Sequence, residues 1–222
     1  MIGLNELRGW DETSIKEFAR ACGCSSGAIF AGSRSRYPIG LIAKSPVAVI
    51  EQRDEGFRHG VLHVKVGQVH FVVAHLTPKR AHERLAEASA LLRMTGQVAE
   101  PLFLMGDLNA LSPLDKPHHD DERLAKKLRS TDSLQAKFLR DDGTIDYDAM
   151  QMLLDSGFVD VTVPGGHTVP TKIVDDEMHA APMRLDYILA NQAAGELRPS
   201  GSIVADSENH DLSDHFPVEC EW

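Results

Sequence analysis

The sequence predicts one α/β domain, and three observations predict it. Short apolar runs closed by glycine, proline or polar turn residues recur from the first residues to the last, amphipathic stretches at helical spacing lie between some of them, and no internal repeat or low-complexity tract interrupts the alternation. At 222 residues, 42% hydrophobic and 25% charged, the chain has the composition of an ordinary globular protein and is long enough to bury a sizeable core.

The elements follow in order. Met1–Glu6 reads as the tail of a buried strand ending in a carboxylate. Ser14-Ile-Lys-Glu17 has capping-box spacing, and Ile15, Phe18, Ala19 and Cys22 share one face, which predicts a helix over 13–21. Ala28–Gly32, Gly40–Lys44 and Val47–Glu51 read as strands. Val61–Val66 and Val69–His75, joined by Gly67-Gln68, form a hairpin whose second strand ends in His75. From Lys79 to Val98, Leu85, Ala88, Leu92 and Thr95 recur at helical spacing, as on an outer helix covering a sheet. Leu102–Met105 is the next buried strand, closed by Gly106.

The pattern changes between Leu111 and Gly157, which reads as an insertion placed to cap or shape a pocket. It carries short helices at 123–129 and 149–154 and a turn at Asp142-Gly143. His118-His119-Asp120-Asp121 within it is better read as a solvated loop than a metal site, because adjacent residues seldom converge on one ion. Phe158–Thr162 is extended, 167–171 is a polar, proline-stiffened loop, Arg184–Leu189 is a strand and Phe216–Trp222 the last one.

A net charge of −10 makes tight, sequence-reading DNA binding improbable, although a carboxylate-rich metal site would carry its own cations to a nucleic acid. No apolar run approaches a membrane span and no secretory signal is present, so an intracellular protein is expected. The three cysteines, Cys22, Cys24 and Cys220, match neither a zinc-finger nor a redox spacing and read as reduced.

Chemistry concentrates at the end of the 102–105 strand. In extended chain Asp107 and Asn109 point to one side and Leu108 to the other. A carboxylate and an amide at the end of a rigid strand suit a metal-bound phosphate and its attacking water, though Gly-Asp-x-Asn alone is equally good turn chemistry. Asp186 lies within an otherwise apolar strand, where an unpartnered carboxylate is costly, so a functional or hydrogen-bonded role is expected.

Leu4-Asn-Glu6, Ala74-His-Leu76, Gly106-Asp-Leu-Asn109, Arg184-Leu-Asp-Tyr187 and Ser213-Asp-His215 occur in the order of the endonuclease/exonuclease/phosphatase superfamily, which the chain resembles over nearly its whole length outside the insertion. Gly40–Pro46 is also similar to that family's early strand and turn. The resemblance implies a four-layer α/β/β/α, deoxyribonuclease I-like sandwich of two mixed sheets with the active site at one end. It implies that Glu6, Asp107 and Asp214 hold Mg²⁺ or Mn²⁺. It implies that Asp107 and Asn109 position the water and the scissile phosphate. His215, oriented by Asp186, would contact the phosphate, and His75 is the second histidine of the nuclease-like branches. Arg184 is expected at the substrate. The family's first strand and its asparagine are expected to be missing upstream of Met1.

The expected activity is hydrolysis of a phosphoric ester without a covalent intermediate, since no Ser or Cys stands in a nucleophile motif. The substrate is a phosphodiester, nucleic acid among the candidates, or a phosphomonoester such as a small metabolite or lipid headgroup. His167, Thr168, Thr171 and His179 are candidates to line the pocket. The non-enzymatic alternative is an inactive binding scaffold of the same fold.

Overall fold

The computed structural model describes residues 1–118, 121–162, 164–173, 181–206 and 208–222. Its largest sheet has six strands. These are β4 (Val47–Arg53), β5 (Val61–Val66), β6 (Val69–Ala74), β7 (Leu102–Asp107), β9 (Asp186–Ala190) and β8 (Val159–Asp160), in that spatial order. β6 and β7 run parallel and the other pairs antiparallel, so the sheet is mixed. The parallel step needs a crossover, which α2 (Ala81–Thr95) provides. A second sheet has the order β1 (Ile2–Leu4), β3 (Ile39–Ala43), β2 (Ser26–Phe30). The antiparallel pair β10 (Ser200–Ile203) and β11 (Val218–Glu221) lies beside it on the same face of the large sheet. Cys220 packs into that interface, and the Trp222 ring sits 4.7 Å from Phe103.

Alternation along the central strands explains the layers. Phe71, Val73 and Phe103 face Ala28, Leu41 and Ala43 of the small sheet. Val72, Ala74, Leu102 and Leu104 point the other way, onto Ala88, Leu91 and Met94 of α2 and onto Ala149, Met150 and Leu153 of α5 (Asp148–Asp155). Strands apolar on both faces read as continuous hydrophobic runs because both faces are covered. The outer face of the small sheet is closed by Ile15 and Ala19 of α1 (Glu12–Ala21). The expected Ser14–Glu17 capping box does not form: Ser14 lies inside the helix, and Asp11 caps it instead, accepting from the amides of Thr13 and Ser14 at 2.9 Å. The result is the expected four-layer α/β/β/α sandwich.

Between β7 and β8 the chain makes a 3-10 turn (Pro113–His118) and the helices α3 (Asp121–Leu128), α4 (Asp132–Phe138) and α5. α3 and α4 have their own small core of Leu111, Leu124, Leu128, Leu134 and Phe138, closed by Met183 and Leu185. α5 instead joins α2 in the outer layer. The sequence pattern does not predict α4, α6 (Gln192–Gly195) or β10, all too short for periodicity to register.

Candidate active site

β6 and β7 deliver the floor of a cleft of about 860 Å³ across the strand ends. Gly106 makes their approach close: its φ is 132°, and a Cβ there would stand 2.0 Å from the Ala74 carbonyl oxygen. The Asn5 amide donates to that same oxygen at 3.0 Å and so ties β1's exit to β6. Beyond Gly106 the two strands stay in register, with the Leu76 amide donating to the Asp107 carbonyl at 3.0 Å. Asp107 and His75 therefore meet, with His75 Nε2 at 3.5 Å from Asp107 Oδ2 and 3.8 Å from Glu6 Oε1.

Asp107 is 7% exposed and held from several directions. Asn109 donates to it twice, from its backbone amide at 2.7 Å and from Nδ2 at 2.9 Å, and Nδ2 also reaches the Leu76 carbonyl at 2.9 Å. Asn109 achieves this with a left-handed backbone, φ 50°, a conformation asparagine tolerates better than most residues. Burial alone would raise the Asp107 carboxyl, but contact with His75 and the charges of His215 and Lys137 outweigh it and hold the group well below the usual carboxylate range. Glu6 has φ 58°, an unusual backbone for a glutamate, which suggests a constrained role. Partial desolvation in the cleft raises its carboxyl. His75 draws it back, and Asp107 and Asp214 raise it further.

His215 and Asp214 arrive on the loop before β11. His215 Nδ1 lies 2.7 Å from Asp186 Oδ2. Burial would lower the imidazole, yet Asp186, Asp107 and Asp214 push it up to about 10, so His215 is a cation at neutral pH. Thr168 and Thr171 do not line the cleft. Thr168 Oγ1 accepts from the amides of Leu185 at 2.9 Å and Asp186 at 3.3 Å, and the Thr171 hydroxyl donates to the Ser213 carbonyl at 2.6 Å. They fix the backbones that carry the Asp186–His215 pair. His167 packs edge-on against Phe216, away from the floor. His179 lies outside the described residues, as do His119 and Asp120, while His118 is exposed and packs against Gly165.

The walls come from residues that the sequence did not single out. The His59 ring stacks on His75, with centroids 4.2 Å apart and planes 9° from parallel, and Ser35 Oγ lies 2.7 Å from His59 Nδ1. Burial and the neighbouring His75 lower His59 to about 3, so this ring is neutral. Tyr37 meets it edge-on from the rim. The opposing wall is α4, whose residues Asp132, Ser133, Ala136 and Lys137 form one face on the cleft. One turn of α2 locates both walls. Glu87 accepts from the amides of Arg58 and Thr77 at 2.6 Å each, while buried Arg84 donates to the Thr77 carbonyl at 3.3 Å and to that of Lys137. The available signals were the Arg58-His59-Gly60 run before the hairpin and the Thr131 cap of α4, which accepts from the Leu134 amide. Neither predicts which residue faces the cleft.

Arg184 is the correction. It is 1% exposed and does not line the cleft. Its guanidinium pairs with Asp115 at 2.9 Å and Asp160 at 2.6 Å, donates to Thr162 Oγ1 and lies over the Tyr187 ring at 4.7 Å. Alternation would put Arg184 on the same side as Asp186, but β9 begins only at Asp186, and in the segment before it the Arg184 guanidinium turns into the protein to meet Asp115 and Asp160. It joins the 3-10 turn, β8 and the segment leading into β9 rather than the cleft.

Glu6, Asp107 and Asp214 place hard oxygen donors around one end of the cleft, and the effect of Asp107 and Asp214 on Glu6 shows that these carboxylates feel one another. Among the described residues no three His, Cys, Asp or Glu side chains converge tightly enough to chelate an ion by themselves. Carboxylate oxygens are the donors that a hard divalent cation takes, so the chemistry of these three side chains fits such an ion.

A four-layer sandwich with a polar cleft across its strand ends is the deoxyribonuclease I-like fold. The sequence profile of the endonuclease/exonuclease/phosphatase family matches residues 1–215, and the chain belongs to that family of phosphoric ester hydrolases. Among solved structures it is similar to a 3′-5′ exonuclease from Neisseria meningitidis, with TM-score 0.68 and 15% identity over 99% of this chain and 88% of that one. An AP endonuclease from Archaeoglobus fulgidus gives TM-score 0.64 and 15% identity over 99% and 87%. A mannosyl-6-phosphatase from Bacteroides thetaiotaomicron gives TM-score 0.53 and 14% identity over 94% and 80%. No curated protein sequence matches the chain significantly.

Proposed function

We propose that the protein is a metal-dependent phosphodiesterase of nuclease-like type that hydrolyses its substrate with a water in a single displacement. The observation that carries this reading is the convergence of a buried, ionised Asp107 and a cationic His215 on one cleft, each held by its own partner, Asn109 and Asp186.

A phosphodiester is already anionic and repels a nucleophile. Glu6, Asp107 and Asp214 would hold Mg²⁺ or Mn²⁺, which would supply charge neutralisation to the phosphate. Asp107 accepts a hydrogen bond from the attacking water and takes its proton as the new P–O bond forms. Asn109, whose amide is pinned by Asp107 and Leu76, fixes the angle of that carboxylate. The His215 imidazolium stabilises charge growing on a nonbridging oxygen, and Asp186 keeps it protonated. His75, between Glu6 and Asp107, orients both carboxylates. The ester bond breaks and its oxygen leaves with the electron pair, taking a proton from solvent.

The nuclease-like substrate is supported by the similarity to an exonuclease and an AP endonuclease, and by Arg58, Lys79 and Arg80, which bring cationic side chains to a cleft that also carries its acidic groups. The decisive experiment is hydrolysis of bis-p-nitrophenyl phosphate with and without Mg²⁺ or Mn²⁺, for wild type and Asp107→Ala. Metal-dependent turnover lost in the variant is the expected result. Turnover indifferent to metal and to Asp107 sinks the mechanism, and no turnover of any phosphate ester returns the protein to a binding role. A panel of single-stranded DNA, RNA, 5′-tyrosyl-DNA and phosphoinositides then tests the substrate, where preference for a phosphoinositide overturns the nuclease-like assignment.

A further inference from the structure

His75 faces the carboxylates of Glu6 and Asp107 through its Nε2 edge, at 3.8 and 3.5 Å. Its other nitrogen is held differently: no described residue hydrogen-bonds to the buried Nδ1 atom. A buried imidazole is ordinarily aligned by the bond this second nitrogen makes, so the plane of the His75 ring must be set by packing. His59 lies face to face with it, centroids 4.2 Å apart and planes 9° from parallel. At that separation the His75 ring cannot turn about its Cβ–Cγ bond without striking its neighbour. His59 is in turn anchored from the loop between β2 and β3 of the small sheet. Ser35 Oγ lies 2.7 Å from His59 Nδ1, and the Ser35 amide donates to the Gly32 carbonyl at 3.0 Å. Gly32 packs so closely on this segment that a Cβ would stand 3.0 Å from the His59 carbonyl oxygen. Tyr37 meets the His59 ring edge-on at 5.8 Å, and His59 itself is buried.

We propose that His59 is a positioning residue of this site, whose stacked ring fixes the plane of His75 and so the direction in which His75 Nε2 faces Glu6 and Asp107. The inference rests on the phosphoester reading above and adds to it a residue outside the five motifs. His59 transfers no proton and makes no bond to substrate; the site uses its flat face. An aliphatic side chain at 59 fills the space but leaves the His75 plane free to rock. A phenyl ring keeps the face and loses the contact with Ser35. Ser35 therefore acts through the His59 nitrogen and through nothing else in the site.

The test compares wild type, His59→Leu, His59→Phe and Ser35→Ala on bis-p-nitrophenyl phosphate with Mn²⁺, alongside ¹³C relaxation of the His75 ring in the metal-free proteins. His59→Leu is expected to lower kcat about tenfold, since small misalignments of a reacting constellation cost up to about 10²-fold, with KM changed less than about threefold. His59→Phe should recover most of that loss. Ser35→Ala should lower kcat about threefold in the wild-type background and have little effect beside His59→Phe, because the phenyl ring offers Ser35 no nitrogen. Order in the His75 ring should fall in His59→Leu and persist in His59→Phe. A kcat of His59→Leu within about threefold of wild type overturns the proposal. So does His59→Phe falling as far as His59→Leu, since the flat face would then not be what matters. A raised KM at unchanged kcat also overturns it and makes His59 a substrate contact. If wild type turns over no ester, the phosphoester reading fails and relaxation still decides: equal His75 order in His59→Leu and His59→Phe refutes the stacking role. Should His59→Leu not fold, Ser35→Ala carries the test, and an equal effect in the wild-type and His59→Phe backgrounds refutes the proposal.

Discussion

Asp186 and His215 lie 29 positions apart in sequence and meet at 2.7 Å, carboxylate Oδ2 to imidazole Nδ1. The contact keeps His215 charged far above the pH at which a free histidine loses its proton. Asp186→Asn removes the opposing charge and keeps the shape, so the imidazole should titrate several-fold closer to neutrality in the metal-free protein, as read by NMR. The alkaline limb of the pH–rate profile should move down with it. The sign for stability follows. His215 has a folded pKa of about 10 against an ordinary value of 6.5, so its stabilisation is complete below about pH 6.5 and is lost as pH rises through 10. Urea titrations between pH 6 and 10 should show wild type losing its advantage over Asp186→Asn, and a constant difference contradicts the linkage.

Gly106 has no room for a side chain. In Gly106→Ala the new Cβ meets the Ala74 carbonyl at a φ of 132°, so strain and clash act together. A loss of roughly 2–4 kcal/mol is expected. Equilibrium unfolding measures it, and a change below about 0.5 kcal/mol contradicts the close approach of β6 and β7.

Asn109 combines a left-handed backbone with two hydrogen bonds to Asp107. Asn109→Gly relaxes the backbone but removes the side chain, while Asn109→Ala loses both. Activity should fall by a similar factor in the two, about 10²-fold or more. Thermal melting should show Ala as the less stable by roughly 1 kcal/mol. Separate activities for the two variants would mean that backbone strain, rather than the amide, serves Asp107.

Arg184 gives a prediction of the opposite kind. Arg184→Met leaves Asp115 and Asp160 buried without their partner, which costs about 3–5 kcal/mol. Any folded fraction should retain the wild-type KM, because the guanidinium does not reach the cleft. A raised KM at unchanged stability reverses this assignment.

Much of this arrangement was legible because it depends on local order along strands. The hairpin 61–74, the two helices α1 and α2 and the strand bearing Asp107 follow from alternation, helical spacing and turn residues. The five motifs announce their own strand ends, and the structure gathers Glu6, His75, Asp107, Asn109, Asp214 and His215 on one cleft, with Asp186 behind His215. What stayed hidden depends on long-range packing. Arg184 sits two residues before the functional Asp186 yet turns inward, and nothing local distinguishes a guanidinium that binds phosphate from one that binds Asp115 and Asp160. His59 and Lys137 carry no motif at all. Each becomes part of the cleft only because Arg84 and Glu87 draw distant loops together.

That turn of α2 divides the protein into parts that can vary separately. Arg84 and Glu87 grip the walls by backbone atoms, the carbonyls of Thr77 and Lys137 and the amides of Arg58 and Thr77, and are therefore indifferent to the side chains those positions bear. Substitutions along α4 or beside Arg58 can recast what the cleft accepts without disturbing how it is braced. The floor, by contrast, is locked through side chains. The scaffold thus separates inheritance of the reaction from drift in its clientele, and the α4 segment is the natural place to graft a new substrate preference.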